Sequence, residues 1–230
     1  MNEVLLVVEV VACFTSVVAI TKVFGRQGLF VWMAIATILA NLTTAKSVAY
    51  FGVDATLGTV LFCSVFLASD VLNERYGREV AARGVVFATI AAGAFIVAAF
   101  VANLYIPSEI DVASESMQLL FGLNIRINIA SIVMFFISNI ANVYLYSVIR
   151  KKTNGRFLWL RNNVSSILCN CLENFLFMFL AFYGVYGIMD VLIIAATTSV
   201  IEITVGLLDT PFMYWASKEK VARKATQAEA

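Results

Sequence analysis

Seven stretches of this chain have the length and apolar content to cross a membrane: 4–22, 28–46, 55–74, 84–104, 127–149, 164–186 and 190–214. A spanning helix needs about 20 mostly apolar residues, each adding about 1.5 Å to its length. Inside hydrocarbon, backbone N–H and C=O groups must pair within the segment, so the expected fold is an all-α polytopic helical bundle. The second stretch is the weakest, ending in Asn41, Thr43, Thr44 and Lys46. If it is re-entrant, six spans remain instead of seven.

The balance of residues agrees. The chain of 230 residues is 61% hydrophobic and 13% charged, against about 45–50% and about 25% in a soluble domain. A net charge of +1 argues against nucleic acid as a partner, since such domains are usually strongly basic. The absence of histidine removes Ser-His-Asp and Cys-His catalysis and every His-based metal site. Cys13, Cys63, Cys169 and Cys171 lie in apolar runs and read as packing residues. No cofactor or metal is expected, and no phosphate-binding glycine-rich loop is present. The start Met1-Asn2-Glu3 lacks a basic n-region, so 4–22 reads as a retained span.

Charges in the connections set an orientation. Lys22 and Arg26, then Arg75, Arg78 and Arg83, then Arg150 to Arg161, then Lys218 to Lys224 fall in alternate connections. The segment 105–124 carries only Glu109, Asp111 and Glu115. By the positive-inside rule, seven spans put the N-terminus outside and the C-terminus in the cytoplasm. We read 1–216 as a single transmembrane domain and 217–230 as a basic, polar cytoplasmic tail. The partners implied are the lipid bilayer and a small solute, and a homo-oligomer is compatible with such a chain.

Function is sought in the ionisable residues at membrane depth, which are costly there and usually face a cavity. Asp70 and Glu74 share a helix face one turn apart. Glu74 also suits an ordinary i,i+4 pair with Arg78 at a helix end, whereas Asp70 lies a turn deeper. Ser166, Asn170, Glu173 and Asn174 form one polar stripe, opposite Leu168, Phe175 and Phe179. A carboxyl group in its centre suggests a lined cavity more than interhelical glue. For Asn139 and Asn142 the two readings stand level. Glu202 is a candidate for solute binding or for a coupling proton, and Asp209-Thr210-Pro211 reads as a helix break. Lys46 either snorkels to the surface or neutralises an acid. Arg126 opens a span as an anchor or a gate residue. Asn41 is a candidate solute contact. A five-residue echo, Ser138-Asn-Ile-Ala-Asn142 against Cys169-Asn-Cys-Leu-Glu173, suggests an internal repeat. Carboxyl groups, amides and many aromatic rings suit a flat heterocycle, and equally a cation or an amine.

Six runs carry a family likeness: Asn41 to Lys46, Ser69-Asp-Val-Leu-Asn-Glu-Arg-Tyr-Gly77, Arg126-Ile-Asn-Ile-Ala-Ser131, Gly155-Arg-Phe-Leu-Trp-Leu-Arg-Asn162, Ser166 to Glu173, and Asp209-Thr-Pro211. Together they resemble the queuosine precursor transporter family, also called the vitamin uptake transporter family, over roughly 30–215. The resemblance implies an inner-membrane importer of 7-cyano-7-deazaguanine or a related 7-deazaguanine. It carries over Asn41, Lys46, Asp70, Glu74, Arg126, Arg161, Ser166 and Asn170. The family's Ser-Gln-x-x-Asp pattern in both late helices is altered here to Ser138-Asn139…Asn142 and Cys169-Asn170…Glu173. Substrate contact is then expected at Asn41, Lys46, Asp70, Ser166, Asn170, Glu173, Asn174 and Glu202. Proton coupling or gating is expected at Glu74, Arg126, Arg161, Glu202 and Asp209. The competing readings are a substrate-binding membrane component driven by an external ATPase, and a cation channel.

Overall fold

The computed structural model describes residues 1–218 apart from 45, 122–124, 183, 185 and 186. It contains α1 (Asn2–Thr43), β1 (Ser47–Tyr50), β2 (Val53–Thr56), α2 (Thr59–Tyr76), α3 (Arg78–Leu104), α4 (Ser114–Phe121), α5 (Ile125–Lys152), α6 (Leu158–Phe182), α7 (Ile188–Leu207) and α8 (Thr210–Ser217). The bundle is all-α except for one short antiparallel hairpin pairing Ser47 with Thr56 and Tyr50 with Val53.

α1 is two helices. Gly25 interrupts it with φ 60 and ψ −136. A straight helix of 42 residues would be about 63 Å long. Yet Asn2 Nδ2 donates to Ala49 O at 3.1 Å, and Phe51 N donates to Glu3 Oε1 at 3.4 Å. Six residues of extended chain from Thr43 to Ala49 span at most about 22 Å. The two halves therefore run antiparallel, with the reversal at Gly25. A side chain there would also crowd the Tyr76 hydroxyl, 3.0 Å from the site of a Cβ.

Gly77, at φ 93 and ψ 168, makes a second one-residue reversal between α2 and α3. Only glycine adopts such angles without strain. The basic residues collect at this end of the bundle. The Lys22 amine lies over the Trp215 ring at 4.9 Å, Arg75 donates to Ala216 O at 3.1 Å, and Arg150 donates to Asn73 O at 3.2 Å. The N-terminus and the hairpin lie at the other end. α4 packs beside the later part of α3, with the Phe95 and Phe121 rings 5.8 Å apart.

Among the described residues, five helices are long and apolar enough to cross a membrane, α1 being one of them. The seven stretches expected from sequence fall on the two segments of α1 and on α2, α3, α5, α6 and α7–α8, and α2 is not among the five. Three boundaries are corrected. The second segment is helical but ends at Thr43 instead of 46. The third begins at Thr59, because 55–56 belong to β2. Arg75, Arg78 and Arg83 sit on helices, since only Gly77 separates α2 from α3. Residues 219–230 of the tail lie outside the described residues.

α2 is the axis of the bundle. Every residue from Cys63 to Asn73 is buried, three full turns enclosed on all sides. Its hydroxyls turn back onto its own backbone, Ser64 onto Leu61 O at 2.7 Å and Ser69 onto Phe66 O at 2.9 Å. Around it, exposed Val, Leu, Ile and Phe on the other helices form the outer, lipid-compatible surface, among them Ile90, Val97, Ile129, Leu168 and Val200.

Candidate functional site

Asp70 sits on the central helix and is fully buried. Its Oδ1 accepts from Asn142 Nδ2 of α5 at 2.8 Å, and its Oδ2 accepts from Ser166 Oγ of α6 at 3.3 Å. Three other acids surround α2. Ser138 Oγ of α5 donates to Glu173 Oε2 of α6. Asn174 Nδ2 donates to Glu202 Oε2 of α7 at 2.7 Å and lies 3.3 Å from Ser199 Oγ. Asn162 Nδ2 donates to Asp209 Oδ1 at 2.6 Å. Cys63 of α2 brings its sulfur to 3.8 Å from Glu202 O. Each of the four acids takes its described hydrogen bonds from neutral donors. Charged, such groups at membrane depth would be very costly without compensation. The arrangement suits loading with protons, or donation from a ligand.

The stripe of α6 therefore fans across three neighbours: Ser166 to α2, Glu173 to α5 and Asn174 to α7. Its opposite side, with Leu168, Phe175 and Phe179, is exposed as expected. The five-residue echo acquires a geometry, because the first position of one copy (Ser138) bonds the last of the other (Glu173). The Asp209 break is also present. α7 stops at Leu207, and α8 starts at Thr210 with Pro211 in its first turn.

One turn below Asp70, Glu74 closes the basic end. Its Oε2 accepts from Arg161 Nη2 at 2.9 Å and from the Tyr146 hydroxyl at 3.0 Å. Its Oε1 is 3.6 Å from Arg150 Nη2. Arg161 Nε donates to the Tyr146 hydroxyl at 3.2 Å, and its Nη1 donates to Gly155 O and Arg156 O at 3.1 and 3.0 Å. The expected Glu74–Arg78 pair is absent. Gly77 breaks the helix between them, and the Arg78 guanidinium lies over the Tyr144 ring at 4.8 Å instead. Beyond this cluster an open cleft of about 720 Å³, lined in part by Asn73, Arg78, Ser147, Arg150 and Gly155, reaches the basic end. Asn73 stands at its head, donating to Val143 O at 2.7 Å and accepting from Ser147 Oγ at 3.0 Å.

Asn41 lies toward the hairpin end, accepting from Ser131 Oγ at 3.3 Å and donating to Thr37 O at 2.8 Å. Lys46 is exposed at the start of the hairpin. Of its two readings the surface one holds, and it neutralises none of the four interior acids. The Arg126 side chain lies outside the described residues. Tyr146, Ser138 and Asn162 were not expected as site residues. Tyr146 carried no signal, since a lone aromatic in an apolar helix reads as packing. Among the described residues, no three His, Cys, Asp or Glu side chains converge as metal ligands.

A polytopic helical bundle with an acid-bearing axis and a polar interior defines the class: a multi-pass membrane protein built around a buried polar site. Residues 56–216 match the family described as "Putative vitamin uptake transporter", and the chain belongs to that family of transporters. It is accordingly a transporter and not an enzyme. It is 36% identical over 208 residues, covering 89% of this chain and 90% of the other, to the "Probable queuosine precursor transporter" of Bacillus subtilis (strain 168). No solved structure matches the chain.

Proposed function

We propose that the protein imports a queuosine precursor, a 7-deazaguanine such as 7-cyano-7-deazaguanine, across the bacterial or archaeal inner membrane. The observation that carries this reading is Asp70: fully buried, on the bundle axis, with neutral donors from α5 and α6 on its two oxygens. A carboxyl group accepts two parallel hydrogen bonds, as the N1–H and 2-amino donors of a guanine-type edge supply. Asn142 and Ser166 hold that place until the base takes it. Ser166, Asn170, Glu173 and Asn174 extend the polar seam along α6, and Asn41 lies toward the outer mouth. The 36% identical relative, a probable queuosine precursor transporter, supports the same substrate class.

Energy comes from a proton gradient in this reading. Glu202, partly buried, and Asp209, buried, each accept from a neutral amide, and in this reading they are the proton-coupling groups. Glu74 and Arg161 form the inner gate, with the N-terminus outside and the basic end in the cytoplasm. The test is uptake of labelled 7-cyano-7-deazaguanine into cells unable to synthesise it. Uptake above background that falls when the proton gradient is collapsed is the expected result. Background-level uptake would sink the substrate assignment, and accumulation that survives collapse would sink the coupling.

A further inference from the structure

Among the described residues, four buried side-chain amide oxygens have no hydrogen-bond partner: those of Asn139, Asn142, Asn162 and Asn170. All four lie on α5 and α6. An amide that merely glues helices together engages both of its ends on neighbours. Here only the amine end is engaged at three of the four. Asn139 Nδ2 donates to Phe135 O at 2.9 Å, Asn142 Nδ2 to Asp70, and Asn162 Nδ2 to Asp209. The partner of Asn139 is a backbone carbonyl, which only accepts, so the amide cannot be turned over and its free atom is the oxygen.

Three of these oxygens share one level of the bundle. The Ser138–Glu173 bond and the joint grip of Asn142 and Ser166 on Asp70 fix α5 against α6. On α5 Asn139 falls between those two ties and Asn142 forms one of them, and Asn170 falls between them on α6. The interval from Ser166 to Glu173 is about 10 Å along the axis. A buried acceptor without a donor is unfavourable, and native proteins leave few.

We infer that the side-chain carbonyls of Asn139 and Asn142, with that of Asn170, are acceptors that read N–H donors of the transported base, which makes Asn139 and Asn142 specificity residues. This rests on the function proposed above. A guanine-type base carries N–H donors on its six-membered edge, its exocyclic 2-amino group and its five-membered ring. Amide oxygens only accept, and with Asp70 holding N1–H and one hydrogen of the 2-amino group, they serve the second 2-amino hydrogen and the N–H of the five-membered ring. A base without the 2-amino group leaves one oxygen buried and unpaired, and the site rejects it on that ground.

The test is equilibrium binding to the purified full chain in lipid nanodiscs, with two ligands: 7-cyano-7-deazaguanine and the same compound lacking its 2-amino group. The wild-type protein is expected to prefer the former by about tenfold or more. Asn139→Leu should bring the ratio toward one, while Asn139→Asp, which keeps an acceptor, should retain it. A general loss of stability would lower both affinities and leave the ratio alone. An unchanged ratio in Asn139→Leu overturns the inference, as does equal wild-type binding of the two ligands, which would leave the proposed function standing. Binding of neither ligand by the wild type overturns both. Should Asn139→Leu not fold, Asn170→Leu decides by the same ratio.

Discussion

Glu74 of α2 and Arg161 of α6 stand 87 positions apart in sequence and 2.9 Å apart in space. Their pair gathers the Tyr146 hydroxyl, the Arg150 guanidinium and the carbonyls of Gly155 and Arg156 into one cluster. The central helix is thereby tied to α5, to α6 and to the turn between them, on the basic side of Asp70.

The two arginines on Glu74 should behave differently. The Arg161 side chain is 4% exposed and the Arg150 side chain 34%. Arg161→Ala leaves a largely buried carboxyl group without its closest cation, at a cost of about 3–5 kcal/mol. Arg150→Ala should cost about 0–1 kcal/mol, as for a solvated pair. Thermal unfolding of the purified variants measures the contrast. Equal losses would show that burial does not set the worth of the pair.

Asp70 separates binding from folding. Asp70→Asn keeps the shape but replaces one of the two acceptor oxygens with a donor, so uptake of the labelled base should fall to background while the melting temperature changes little. Asp70→Leu strands the Asn142 amine and the Ser166 hydroxyl, for a further loss of about 1–3 kcal/mol each. Wild-type uptake by Asp70→Asn would remove Asp70 from the solute path.

The reversals at Gly25 and Gly77 predict an order of sensitivity. A non-glycine residue in such a conformation costs about 1–3 kcal/mol. At Gly77 a Cβ meets nothing within 4 Å, so Gly77→Ala has only that strain to bear. At Gly25 it also meets the Tyr76 hydroxyl at 3.0 Å. Gly25→Ala should therefore be the more destabilising, as read by unfolding midpoint. The opposite order would show that the tyrosine yields freely.

Outside the membrane, Asp111 should make α4 sensitive to acid. Its carboxyl group accepts from the Ser114 hydroxyl and from Ala113 N at 2.7 Å, and these bonds hold its pKa below the usual aspartate value. The folded state thus binds this proton less readily than the unfolded chain. The stabilisation is present above the unfolded pKa of about 3.9 and is lost as pH falls through the depressed folded value. Amide exchange within 114–121 should quicken over that window in the wild type. In Asp111→Asn it should be faster at neutral pH and insensitive to acid there.

Much of this architecture was legible because apolar length is a direct physical requirement of a bilayer. The stretches and the exposed apolar side of α6 follow from it, while the Asp209 break was legible from Pro211. Polar spacing was legible only within a helix. The stripe from Ser166 to Asn174 was visible, but its division among α2, α5 and α7 depends on how the helices pack. The partner of Glu74 was misassigned for a related reason. The i,i+4 rule assumes a continuous helix, and one glycine at φ 93 voids it. Asn139 and Asn142 stood undecided between glue and contact, because an unpaired carbonyl becomes visible only when every neighbour has a position.

The one-residue turns at Gly25 and Gly77 also constrain biosynthesis. With no loop to spare, neither the two halves of α1 nor the α2–α3 pair can be handed to the lipid one helix at a time with a slack connection between them. An insertion route that carries each antiparallel pair as one unit is the one these turns favour.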